Sequence, residues 1–140
     1  MDRSKRADFA KSLDDMENVD SGDPEDAPTP MIEKALRARK KPLSALRDDE
    51  IGLLVSQREG FPFILDLVMP MLEANPLFYA RHFPGDLLSS LIGADQKVWN
   101  DRPDYRLALA QLYDRVVARP SEDSEAFFES LGIENPQRLQ

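Results

Sequence analysis

The segment "FPFILDLVMPMLEANP", Phe61 to Pro76, constrains the fold more than any other part of the chain. Its apolar residues point to nearly every side of a helix, so the helix must be covered all round and lie at the centre of a folded unit. Proline stands near its first turn, and Asn75-Pro76 stops it. Pro70 falls inside, where it removes one backbone hydrogen bond and bends the helix.

The flanking sequence supplies helices to cover it. "TPMIEKALRARKK" opens with Thr29 as N-cap and Pro30 at the first helical position. Met31, Ile32, Ala35 and Leu36 form its predicted inner face, while the bases from Arg37 to Lys41 suit the negative end of the helix dipole. "SALRDDEIGLLVSQREG" follows, with Asp48, Asp49 and Glu50 in the first turn, Leu46, Ile51, Leu54 and Val55 as its stripe, and Gly60 as C-cap. Leu87, Leu88, Leu91 and Ile92 predict a short helix, and Trp99 a packed turn. Tyr105, Leu109, Leu112, Tyr113 and Val116 mark a long helix, and Ala126, Phe127, Phe128 and Leu131 a last one. No period-2 run is bounded by turn residues. The expectation is an all-α single bundle of about six helices over residues 29–140.

Residues 1–28 read differently. From Ser12 to Asp26 the chain carries seven acids and no base, namely Asp14, Asp15, Glu17, Asp20, Asp23, Glu25 and Asp26. With so little apolar material, this acidic segment is expected to be poorly ordered, flexible or loosely docked. Leu13, Met16 and Val19 allow one short amphipathic turn. The early positive charges precede no apolar h-region, and no run approaches the ~20 apolar residues that span a bilayer. The expected location is the cytoplasm, which the absence of cysteine also suits.

Eighteen bases against twenty-six acids give a net charge of −8 at pH 7. That disfavours direct nucleic-acid binding and allows a basic protein partner. Signatures of catalysis are sparse. There is no phosphate loop, no His-Glu-x-x-His and no cysteine, and the only histidine is His82. In "RHFPGDLL" a metal site at His82 would draw on Asp86 or Glu73. A helix entrance explains more of these residues: Phe83 anchors the chain in the core, Pro84 restricts it, and Gly85 takes an angle other residues avoid. Asp86 then meets the free N–H groups of the first turn, where removing it costs about 1 kcal/mol. Asp48, Asp49 and Glu50 complement the helix dipole and can also protrude to grip a partner's bases, since only some oxygens are needed for capping. No cofactor or metal is expected.

These motifs, in their order, resemble the immunity proteins of contact-dependent growth inhibition (CDI) systems. The resemblance runs from about Lys11 to Trp99. It rests on Lys11-Ser12-Leu13, then Arg39-Lys40-Lys41-Pro42-Leu43, then Leu46 with Asp48 to Leu54, Gln57 and Gly60. Asn75-Pro76-Leu77 and the turn Phe83-Pro84-Gly85-Asp86-Leu87-Leu88 complete it. Where that family often has a tryptophan-glycine pair, this chain reads "VDSGDPED". The resemblance implies a cytoplasmic, non-catalytic inhibitor of a cognate toxin domain, many such toxins being nucleases with basic grooves. Its expected partner-binding residues are the seven acids of the N-terminal segment with Asp48, Asp49, Glu50 and Asp86. No membrane contact is expected. The alternative is an acidic helical scaffold or adaptor unrelated to toxins.

Overall fold

In a computed structural model, residues 2–139 are described. Among them are seven α-helices and no strand: α1 (Leu13–Glu17), α2 (Pro30–Arg39), α3 (Asp48–Ser56), α4 (Phe63–Ala74), α5 (Asp86–Ile92), α6 (Pro103–Ala118) and α7 (Glu125–Ser130). The apolar-all-round helix is α4. Phe63, Ile64, Leu65, Val68, Met69 and Leu72 are buried on it, and Pro70, Glu73 and Ala74 are exposed. α3 packs between α2 and α5, α6 packs on α4 and α5, and α7 packs on α5. Trp99 is buried in a single 3-10 turn, and Leu112, Val116, Phe127 and Phe128 close the far side of the core.

Local chemistry sets several boundaries as expected. The Thr29 hydroxyl accepts the N–H of Ile32 and Pro30 begins α2. Asn75 ends α4, and its side chain accepts the N–H of Leu77. Gly85 holds φ +86° immediately before α5, the left-handed region where a side chain is strained.

Three local expectations are corrected. Gly60 is not the C-cap of α3. That helix ends at Ser56 with Gln57 as its C-cap, and Arg58 takes the left-handed position (φ 59°). Glu59 N–H then bonds to the Leu54 carbonyl and Arg58 N–H to the Val55 carbonyl, a Schellman ending. Gly60 (φ +81°) serves a different contact: a Cβ there would lie 2.5 Å from Leu13 Cδ1. On α2, Met31 and Ile32 are exposed, and the buried residues are Ala35, Ala38 and Arg39. Phe83 is half-buried outside the core, whereas Leu77, Phe78 and Ala80 from the preceding turn pack into it.

The N-terminal segment, which composition leaves flexible or loosely docked, is attached at several points. Lys11 and Phe9 carbonyls accept the N–H groups of Leu43 and Ser44, so the segment lies along the Pro42-Leu43 turn. Ser12 caps α1 by accepting the N–H of Asp15. Leu13 is wholly buried against Gly60, and Met16 is half-buried, leaving Val19 outside. One fully buried leucine and a set of ion pairs replace the apolar material the segment lacks.

Candidate functional site

The acids expected to contact a partner divide into two groups. α2 ends at Arg39, followed by Lys40 and Lys41, bases that the sequence assigned to the helix dipole. In the structure these bases reach sideways to carboxylates on both neighbouring segments. Arg39 is buried, and its Nε donates to Asp14 Oδ1 (2.9 Å) and its Nη1 to Glu59 Oε2 (2.9 Å). A further Nη2 bond goes to Glu17. Lys40 donates to Asp14 (3.1 Å) and Asp20 (3.2 Å), and Lys41 to Glu50 Oε2 (2.8 Å).

Asp14 also accepts the N–H and hydroxyl of Ser21 (3.2 and 2.9 Å), which turns "VDSG" back onto α1. Burial pushes the Asp14 carboxyl up, but the donors from Ser21, Lys40 and Arg39 outweigh it and hold it below the ordinary carboxylate range. Glu50 behaves alike. It is buried and accepts the Arg47 N–H (3.0 Å) and Lys41, which overcome its burial and lower its pKa. Asp49 is paired with Lys34 and Arg47, and Lys34 holds its carboxyl low. Asp14, Glu17, Asp20, Asp49 and Glu50 thus have their charge compensated within the chain.

The second group faces outward. Asp15, Glu25, Asp26 and Asp48 are exposed, with no ion pair among the described residues. Asp23 is exposed as well and caps the 3-10 turn Pro24–Asp26 by accepting the Glu25 N–H (2.9 Å). That turn packs against α2.

Asp86 lies in the first turn of α5, but the groups it meets belong to the preceding loop. Its oxygens accept the N–H groups of Ala80 (2.9 Å), Arg81 (2.8 Å) and His82 (2.8 Å). Replacing Asp86 by Ala leaves three donors without a partner, so a loss of about 2 kcal/mol is expected, twice the capping value. Urea unfolding of the variant checks this, and a loss under about 0.5 kcal/mol would contradict the three-bond role. The His82 side chain is exposed beside a hollow of about 180 Å³ lined by Arg81, Phe83 and Asp86. Both Asp86 oxygens serve backbone donors rather than that imidazole. Glu73 is directed to Arg115 instead. Among the described residues, no group of three His, Asp or Glu side chains lies close enough to hold a metal ion.

A second buried ionic centre escaped the sequence reading. Asp66, on α4, receives Arg102 Nε and Nη2 (2.8 Å each), the Tyr105 hydroxyl (2.9 Å) and the Ala7 N–H (2.8 Å). Arg102 is wholly buried, and its remaining N–H groups go to the carbonyls of Arg3, Lys5 and Asp101. The available signal was Asp66 itself, the single charge from Phe61 to Leu72 in a helix apolar on nearly every side. Such a charge requires a partner.

The comparisons with known proteins bear on this acidic helical surface. A family model of CDI immunity proteins matches residues 15–109, which run from α1 into α6. The chain belongs to that family. No curated protein and no solved structure matches it. The matched region of this immunity protein holds the Arg39–Glu17 and Lys41–Glu50 pairs, the outward acids and the Asp86 loop, while Asp14 and α7 lie beyond it. Among the described residues, no helix is long and apolar enough to cross a membrane.

Proposed function

We propose that this immunity protein works in the cytoplasm by binding the C-terminal toxin domain of its CDI system one-to-one, that the toxin is a nuclease, and that binding rather than catalysis neutralises it. Family membership supports the toxin as partner. The nuclease assignment rests on charge: the chain carries −8 overall, and the cations at the end of α2 are already spent on internal carboxylates. The uncompensated acids Asp15, Asp23, Glu25, Asp26 and Asp48 suit the basic surface that a nucleic-acid-cleaving domain presents to phosphates. Asp14 and Glu50 contribute indirectly in this reading, by holding α1, α2 and α3 together.

Inducing the toxin domain encoded with this chain, in cells with and without it, tests the proposal. Growth should be restored by this protein and not by an unrelated acidic helical protein of equal size. In vitro, the nuclease activity of the toxin should fall to zero at one equivalent. Arrest without rescue would refute the pairing, and rescue from a toxin that leaves nucleic acids intact would refute the nuclease assignment.

A further inference from the structure

The two ends of α2 differ in a way that locates the contact. At the C-terminal end, the helix is enclosed: Ala38 and Arg39 are buried, and Arg39, Lys40 and Lys41 neutralise the carboxylates around them. At the N-terminal end, the same helix runs past the edge of the core. Met31 stands one turn before buried Ala35 and Ile32 one turn before half-buried Leu36, so both continue the inner stripe. They are nevertheless 48% and 42% exposed. Two adjacent large apolar side chains on the overhanging turn of an otherwise packed face form an unpartnered surface.

Acids flank that turn. Glu25 and Asp26 lie in the 3-10 turn packed on α2, and Asp23 caps it. Asp48 opens α3, whose next residue, Asp49, is tied to Lys34 of α2. The nearby bases Lys34 and Arg47 are engaged by Asp49, and Arg37 by Glu33. Uncompensated negative charge therefore gathers around Met31 and Ile32. An apolar centre inside a polar rim is the layout of a protein-binding patch.

We propose that the first turn of α2, centred on Met31 and Ile32 and rimmed by Asp23, Glu25, Asp26 and Asp48, receives the toxin domain at a basic surface carrying an apolar side chain. This rests on the toxin-binding function proposed above. A second copy of this chain is a poor occupant, because it would bring the same acids against themselves.

The test measures binding of the full-length protein to the purified toxin domain encoded beside it, as a function of salt. M31S/I32S should weaken binding at least about 30-fold, mainly through faster dissociation. E25K/D26K should slow association about 10-fold and flatten its salt dependence. L107S, which alters a residue 64% exposed on α6, should bind as wild type. All three alter exposed positions, and unchanged melting temperatures would establish that they are folded. Wild-type binding with undiminished binding by M31S/I32S would overturn the surface and leave the immunity function standing. A toxin that the wild-type chain does not bind would overturn both. A wild-type dimer dissolved by M31S/I32S would assign the face to self-association and also overturn the proposal.

Discussion

Arg102→Met is expected to cost about 3 kcal/mol of stability, the lower part of the range for breaking a buried ion pair from one side. The guanidinium is wholly buried and gives two 2.8 Å bonds to Asp66, and its other N–H groups satisfy the carbonyls of Arg3, Lys5 and Asp101. Methionine fills much of the volume but donates nothing. Asp66 would keep the Ala7 N–H, the Tyr105 hydroxyl and a longer bond from Arg6 (3.3 Å), which places the loss at the lower end. Urea unfolding followed by Trp99 fluorescence measures it. Adding Asp66→Leu to the same variant should recover part of the loss, since it removes the unpaired charge. A loss below about 1 kcal/mol would show that the pair is not what holds residues 3–7 on α4 and α6.

The same pair makes a pH prediction. Burial pushes the Asp66 carboxyl up, yet the donors from Arg102, Ala7 and Tyr105 outweigh it and leave the carboxyl below its ordinary value. A carboxylate with a lowered folded pKa stabilises the protein fully above its unfolded pKa of about 3.9. That contribution is lost as pH falls from there through the folded value. Without Arg102 the burial effect meets fewer donors, so the folded pKa rises and acid unfolding should begin at higher pH. An acid midpoint identical in wild type and Arg102→Met would refute this.

Gly60→Ala should free α1 from the domain, with a total loss of about 3 kcal/mol. The residue sits at φ +81°, where a side chain costs about 1 kcal/mol or more. The added Cβ would also stand 2.5 and 2.7 Å from the two methyl carbons of Leu13. Displacing that wholly buried leucine forfeits about 2 kcal/mol of burial. Native-state hydrogen exchange should show α1 amides losing protection while those of α4 keep most of theirs. Leu13→Ala should reproduce the pattern without altering the backbone at residue 60. Protected α1 amides in Gly60→Ala would mean that Leu13 can repack.

Most helices could be read from the chain because their signals are local. Thr29-Pro30 caps α2 within four residues, Asn75 closes α4, and the stripe from Tyr105 to Val116 repeats at the helical period. The ordered motifs from Lys11 to Leu88 carried the family resemblance, and the match over residues 15–109 shows it. The acids of the N-terminal segment were legible as charge but not as structure. A carboxylate on a solvated tail and one held by a buried arginine look the same in sequence.

By itself, then, the sequence determined a helical chain, its main helix boundaries, its acidity and its family. Only the tertiary structure decided which charges are spent internally. Arg39 meets Asp14 across 25 residues and Arg102 meets Asp66 across 36, and each pairing depends on where the intervening helices bring the side chains. It also decided that Met31 and Ile32 stay outside. Helical periodicity reports the direction a residue faces around its own axis, but whether another helix covers that turn depends on where the core ends.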